Sequence, residues 1–482
     1  MSCKFSQIAE AIGVSLPKNC DVEIDGAYCD SRLVKPGSLF ICKGAHFKPE
    51  FLTSAIENGA IACIADESFG IKMTSVPLIS TENIRQAQAI ASKLAWGKPD
   101  EGMKVIGITG SKGKTTVANF VKQIIEVATG KKCGMIGTHR IFDGKNEIDS
   151  PNTTPDSPDL YRYLRAMKNN GCETCVMEIS SQALKYDRVF GLDLDIGVIT
   201  NIGIDHIAPI EHPSLSDYVQ SKFKIAEITN CLLLNQKLVL CKETEPFIEE
   251  QLSSLAKIQD LRVEYYSRPE TKIDLKMKGL VNQENAQCAI KIAEILGIDE
   301  KESRNAVEDV QVEGRFETTV SKDGKVIGVV DYAHTKDSFE CFFESVKNEF
   351  RGAYIISYFG CSAGKALMRQ RELPETAAKF SDFVVITSDE PFDEDPEEFA
   401  YKIAGNLPPN TPHEVIVDRD EACAFAFEKA RQVLESGDAK RVVVCALAKG
   451  TENVCPCSKG DIEITPDTVL VPQKVKEYDE SL

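Results

Sequence analysis

No stretch of this chain is apolar for long enough to cross a bilayer, and its first residues, MSCKFSQIAE, contain no apolar signal-peptide core. Basic residues are in deficit. Fifty-six Lys and Arg against 74 Asp and Glu leave a formal charge of −18, which argues against a surface that tracks a phosphate backbone. No Ser-His-Asp or Cys-His arrangement announces a covalent nucleophile, and no repeat or low-complexity segment is present. The 17 cysteines are an odd number in a long chain without a secretion signal, so they are read as reduced thiols. The pairs Cys172–Cys175 and Cys455–Cys457 lack spaced partner pairs for zinc, and the first lies in a strand-like run, ETCVMEIS, whose side chains alternate between faces. These absences predict a cytoplasmic protein with no membrane insertion and no nucleic-acid partner. They leave room for an anionic small molecule, because a few placed cations outweigh a net negative field inside a cleft.

What is present is an α/β pattern. At 482 residues, 43% of them hydrophobic, the chain is long enough for about three domains with cores of their own. A polar, turn-rich segment, WGKPDEGM (96–103), marks one boundary, and VEGRFE (312–317) marks another. The predicted division is 1–98, 99–314 and 315–482. In the middle segment the short apolar runs VIGIT, TCVMEIS and DIGVITNI alternate with helical patterns, including a helix predicted from Thr115 to about Val127. Such runs suit a parallel sheet covered on both faces. Beyond 315, VIGVVD, AYIISYF, FVVITS, EVIVD and VVVCALA predict a Rossmann-like doubly wound domain. The polar clusters DYAHTKD, FGCSAGK, SDEPFDED, DRDE and AKGTEN each follow one of those strands. Ligands of open α/β sheets bind at the carboxyl ends of strands, so the five clusters are expected to share one crevice.

The strongest chemical signal is GITGSKGKTT, residues 107–116. Gly110, Ser111, Lys112, Gly113, Lys114, Thr115 and Thr116 sit between a predicted strand and a predicted helix, the context of a phosphate-binding loop. Glycines admit backbone N–H groups to phosphate oxygens, and the helix N-terminus favours negative charge. Lys114 reaches the terminal phosphates, and the Thr115 hydroxyl suits Mg²⁺. The outer glycine of the usual pattern falls at Ile108. Glu178 ends a buried strand, where a carboxylate is costly unless it is paired or faces a metal; the alternative is a strand-end capping acid. His206 lies just beyond a strand end as a possible second metal ligand, or as an ordinary polar residue. Lys222, in a helix, would ordinarily be a solvated charge.

The order TGSKGKTT, NTTPDS, MEISSQAL…R, TNIGIDHI, YVQSK, GRFE, DYAHTKDS, FGC and TSDEP resembles the Mur ligases, in particular members that add the third residue of the peptidoglycan stem peptide. The similarity runs from about Asp30 to Glu452, nearly the whole chain. It implies transfer of the γ-phosphoryl group of ATP to the D-glutamate carboxylate of UDP-MurNAc-L-Ala-D-Glu, then attack on the acyl phosphate by the amine of a free amino acid. A carboxylate is a poor electrophile, and phosphorylation supplies its leaving group. The resemblance further implies two Mg²⁺ sites, at Thr115 and Glu178 and at His206 and Lys222. Lys222 matches a lysine carbamylated by CO₂ in the family, N6-carboxylysine. Asp30, Ser31, Arg32, Lys43 and Gly44 match uridine-nucleotide positions, and Asn152, Thr153, Thr154, Ser181 and Arg188 match contacts to the UDP-MurNAc-peptide. Asn282, Asn285, Arg315, Asp331 and His334 match positions near the nucleotide.

Departures from the pattern bear on the amino acid. Gln182 stands where many members have histidine, and FGCSAGKA replaces two carboxylates of that loop by Gly364 and Ala366. Members that select meso-diaminopimelate carry DNPR; this chain reads Asp389, Glu390, Pro391, Phe392, without the arginine that grips a distal carboxylate. The acidic run DEPFDED suits a side chain ending in ammonium, which points to L-lysine over diaminopimelate or L-ornithine, unless the run is only a solvated helix start. Lys449, Gly450 and Glu452 belong to a loop resembling GKGHE, with Thr451 for histidine; there Glu452 is expected to hold an ammonium group. Two other readings stand beside this one. A folylpolyglutamate synthetase would share the phosphate loop but not DSRLVKPGSLF, and a P-loop ATPase with a degenerate amino-acid site would ligate nothing. The protein is expected to act as a monomer.

Overall fold

The computed structural model describes residues 2–72, 74–138, 140–150, 152–205, 207, 211–364, 367–458 and 460–482. They form two compact units. The first comprises Met1–Ile202, Leu215–Ser267 and Cys288–Ser303, and the second Gly203–Ser214, Arg268–Gln287 and Arg304–Leu482.

The first unit contains two large sheets and a two-stranded pair, Cys3–Lys4 with Glu23–Ile24. Ala27–Tyr28, Ser38–Cys42, Ala60–Asp66 and Leu78–Thr81 make a four-stranded parallel sheet. The second, eight-stranded sheet runs Glu147–Asp149, Arg140–Phe142, Cys133–Ile136, Thr174–Glu178, Lys104–Thr109, Leu194–Ile199, Thr229–Asn235 and Arg262–Tyr266. Its first two pairings are antiparallel; the other five are parallel. The predicted apolar runs fall where they must. Val105, Ile106 and Ile108 at the centre are fully buried, and burying such side chains contributes about 1.5–3 kcal/mol each. The helix predicted from Thr115 spans Lys114–Thr129, ended by Gly130 in the left-handed conformation at φ 67°.

The second unit carries a six-stranded sheet in the order Glu317–Val320, Val326–Asp331, Val442–Leu447, Tyr354–Phe359, Phe383–Ile386 and His413–Val415. All but the first pairing are parallel. Val442–Leu447, VVVCAL, is buried at every position, as a central strand covered on both faces requires. The α/β class and the C-terminal doubly wound sheet read from the sequence are therefore present. All seventeen cysteines are free thiols. Burial pushes several of them up, Cys63 and Cys288 to about 12.

One polar cluster behaves differently from its neighbours. DRDE follows a strand, but Asp418 caps the helix Arg419–Ser436 and Arg419 turns into the core. There its guanidinium forks onto Asp467 at 2.6 and 3.1 Å and donates to the Leu447 carbonyl at 2.7 Å, with both charged side chains fully buried. Tyr358 donates to the same carboxylate at 3.0 Å. Burial opposes the charge on Arg419, but Asp467 outweighs it and raises the guanidinium further. Removing one member strands the other. Arg419→Met is expected to cost about 3–5 kcal/mol. Urea unfolding should show the Arg419→Met/Asp467→Leu double variant recovering at least half of that loss. Equal midpoints for single and double variants would mean that the isolated charge is not the cause.

Candidate active site

The phosphate loop is shaped around one carbonyl. Gly110 sits at φ 144°, and a Cβ there would lie 2.0 Å from the Thr200 hydroxyl, so only glycine fits. Lys114 Nζ donates to the Gly110 oxygen at 2.9 Å, and Lys222 Nζ donates to the same oxygen at 3.0 Å. Lys222 is 2% exposed, on the helix Leu215–Phe223, with its ammonium 4.6 Å from the centre of the Tyr218 ring. It is not the solvated charge a helix lysine usually is.

Residues that sequence reasoning did not single out hold the loop open. Thr200 donates to the Lys112 carbonyl at 2.6 Å. Asn201 accepts from the Lys112 N–H at 2.9 Å through its side chain and from the Ser111 N–H at 2.8 Å through its carbonyl. Ser111 and Tyr218 share a hydroxyl bond of 2.9 Å. Gly113 caps the helix at φ 89°, and Thr116 is buried in its first turn. The only sequence signal for this support was a polar Thr-Asn pair directly after the strand DIGVIT.

Glu178, 1% exposed, accepts from the Thr115 hydroxyl at 2.9 Å. Two hydroxyls and a carboxylate gather hard oxygen donors of the kind Mg²⁺ takes, for Thr138 also donates to Glu178 at 3.0 Å. His206 lies outside the described residues, as do Lys365 and Ala366.

A second group in the same unit surrounds Asp156. Lys43 lies 2.8 Å from one of its oxygens and Arg188 3.1 Å from the other. Arg188 also donates to the Thr154 carbonyl at 3.0 Å. Thr154 is fully buried; its hydroxyl donates to the Glu178 carbonyl at 3.0 Å and accepts from the Ser180 N–H at 2.9 Å. Burial pushes the Asp156 carboxyl up, but Lys43, Arg188 and Arg85 together outweigh it and hold it below the usual carboxylate range. Thus Lys43, Thr154 and Arg188, far apart in sequence, are brought together. Ser181 is buried in the short helix that follows Ser180, and Gly44 sits at φ 88° beside Lys43. Asn152 is exposed. Asp30 and Arg32 chiefly engage each other at 2.6 Å, which lowers the Asp30 carboxyl, and the Arg32 side chain is 84% exposed. Ser31 is buried between them and accepts from Asn58 through its carbonyl at 2.9 Å.

In the second unit, four of the five predicted loops meet. Ser362 and Glu390 form a β-bridge, and Ala363 N–H donates to the Glu390 carbonyl at 2.9 Å. Lys449, 1% exposed, lies 3.1 Å from Asp389 and 2.8 Å from Glu452. Those two acids raise its ammonium against the opposing effect of burial. Burial lifts Glu452 above its ordinary range; Lys449 opposes this, while Asp389 and Glu390 add to it. Phe392 has φ 48° and bridges to Cys457, with Pro391 preceding it in the same turn. Tyr332 contacts Thr451 through its hydroxyl, and the Gly450 backbone lies against its ring. Arg315 lies over the other part of this group, 4.5 Å from the Tyr332 ring centre. Asp331 accepts from the N–H groups of Phe316 and Ala333 at 2.8 Å each, and His334 Nδ1 is 2.7 Å from the Tyr332 carbonyl. Asn282 and Asn285 are buried neighbours at 3.3 Å on the helix Leu280–Ile295. In the same unit Asp205, next to His206 in sequence, forms a buried 2.6 Å ion pair with Arg369.

Comparison with known proteins matches this arrangement to one family. Residues 108–293 fit the Mur ligase middle domain, and 314–446 fit the Mur ligase, glutamate ligase domain. The chain is 31% identical to a UDP-N-acetylmuramoyl-L-alanyl-D-glutamate–L-lysine ligase of Enterococcus faecalis, over 84% of each chain. It is 34% identical to a 2,6-diaminopimelate ligase acting on the same named substrate in Caldanaerobacter subterraneus, over 86% of this chain and 89% of that one. A solved 2,6-diaminopimelate ligase structure superposes over 99% of both chains with a TM-score of 0.62 at 22% identity. The chain belongs to the Mur ligase family.

The charge balance at Asp156 has a consequence in pH. A depressed carboxyl contributes stability that is complete above its unfolded value, near 4, and lost as the pH falls through the folded one. Asp156→Asn should therefore lower stability at pH 7 by on the order of 1 kcal/mol, and the difference should close below about pH 4. Denaturant titration across that range reads it; a gap that persists in acid would assign the loss to packing.

Proposed function

We propose that this protein is the ATP-dependent ligase that joins L-lysine to UDP-N-acetylmuramoyl-L-alanyl-D-glutamate, in the cytoplasm, as a monomer. The observation that carries the reading is the convergence of Lys114 and Lys222 on one carbonyl of a phosphate loop whose neighbouring strand ends in Glu178. Residues 1–98 would seat the nucleotide-sugar, 99–314 ATP, and 315–482 the amino acid.

In this mechanism Lys114 and the loop N–H groups would neutralise the phosphates of ATP, and Asn282, Asn285, Arg315, Asp331 and His334 would keep the nucleotide-binding roles that the family resemblance implies. Lys43, Thr153, Thr154, Ser181 and Arg188 bind the UDP-MurNAc-peptide, with Asp156 holding the cations in place until the anionic substrate arrives. The substrate carboxylate takes the γ-phosphoryl group and ADP leaves. The amine of the amino acid then attacks the acyl carbon, loses a proton, and expels phosphate as the amide forms. Thr115 and Glu178 would hold one Mg²⁺, while His206 and Lys222 carrying a CO₂-derived carbamate would hold a second. These ions would offset charge on the transferring phosphoryl group.

The amino-acid choice rests on charge. Asp389 and Glu452 flank the Lys449 ammonium at 3.1 and 2.8 Å. Burial, with Asp389 and Glu390 adding to it, raises the Glu452 carboxyl, and a substrate ammonium beside it would favour its charged form. Phe392 offers no cation for a distal carboxylate, which weighs against diaminopimelate.

Purified protein with ATP, Mg²⁺ and UDP-MurNAc-L-Ala-D-Glu should give tripeptide, identified by mass, at least about tenfold faster with L-lysine than with meso-diaminopimelate or L-ornithine. Product with diaminopimelate alone would overturn the lysine assignment, and phosphate release without tripeptide would overturn the ligase. Lys222→Ala should lower ligation by about 10²-fold or more, with partial recovery in a short-chain carboxylate. Full activity in that variant would remove Lys222 from the mechanism.

A further inference from the structure

Glu178 is held by more than the phosphate loop. Its Oε1 accepts the backbone N–H of Thr138 at 3.0 Å, and its Oε2 accepts the Thr138 hydroxyl at 3.0 Å beside that of Thr115 at 2.9 Å. The turn that places Thr138 is closed by Gly137 N–H on the Arg140 carbonyl at 3.0 Å. A Cβ on Gly137 would come within 2.9 Å of Oε1, so the backbone is fitted to this carboxylate. The Thr138 hydroxyl also lies 3.3 Å from that of Thr153. A hydroxyl has one proton, and an ionised carboxylate only accepts. The Thr138 hydroxyl therefore stands between two acceptors, Glu178 at 3.0 Å and Thr153 at 3.3 Å. The result is a continuous run of contacts, Thr153, Thr138 and Glu178, ending beside Thr115. Its far end lies in the NTTP segment, whose next residue, Thr154, is pinned by Arg188.

We infer that Thr138 is a positioning residue that orients the Glu178 carboxylate for a divalent cation and ties that orientation to the seating of the peptide substrate on Thr153. This rests on the ligase reading above. Partners that fix a metal-binding carboxylate typically change metal affinity by 10–100-fold when removed. Thr138 itself touches neither metal nor substrate in the proposal; it acts through Glu178.

Calorimetric titration of the full chain with ADP, with and without Mg²⁺, tests it without any turnover. Thr138→Val keeps the shape and removes the hydroxyl. It should weaken MgADP about tenfold while leaving metal-free ADP unchanged. Thr138→Ser should restore MgADP binding to within about threefold. In steady state Thr138→Val should lower kcat and raise the Mg²⁺ requirement, and adding Thr153→Val should cost less than in the wild-type background. Equal losses for ADP with and without Mg²⁺, or a fall in thermal midpoint with the Mg²⁺ preference intact, would make Thr138 structural and overturn the proposal alone. A wild-type protein whose ADP binding ignores Mg²⁺ would overturn the ligase reading with it.

Discussion

Two ammonium groups on one carbonyl oxygen are an uncomfortable arrangement, and much of the first unit is arranged around it. Lys114 and Lys222 approach Gly110 from different helices, separated by 108 positions (222 − 114), and repel each other as they converge. Nothing in a net charge of −18 would suggest such a spot. It exists because the Gly110 backbone is turned where a side chain cannot follow. Thr200 and Asn201 pin the loop against the neighbouring strand, and the helix N-terminus points the same way. Local field prevails over global field here because the groups are buried and the screening is weak.

In the second unit the strand-end loops bring Asp389 and Glu452 to buried Lys449, and burial together with the neighbouring carboxylates lifts Glu452. In the proposed reaction the phosphates would belong to the first unit and the amine to the second.

What the sequence made legible was what is local. Strand, glycine turn and helix are consecutive in GITGSKGKTT, so the phosphate loop could be read directly. The strands of the second unit are apolar runs followed at once by polar loops, so their shared end could be read too. Contacts that depend on long separation were not legible. Thr138 lies in no quoted motif, and although Tyr218 and Asp156 fall inside YVQSK and NTTPDS, nothing local says that the fold places the three beside Glu178, Ser111 and Lys43. DRDE misled for the same reason. Its position after a strand promised a place in the shared crevice, while the partner that draws Arg419 inward, Asp467, is 48 residues away.

The abundance of thiols looks at first like a chemical liability. The coordinates describe the reverse. With burial lifting groups such as Cys29 and Cys455 to about 11, only about one molecule in 10⁴ carries the thiolate at either position at neutral pH. The thiolate is the form that reacts with alkylating agents, peroxides and disulfides. The most deeply buried thiols, such as Cys175 and Cys445, are consequently slow to react while the chain is folded, and the rate at which they take up label becomes a sensitive clock for how often it opens.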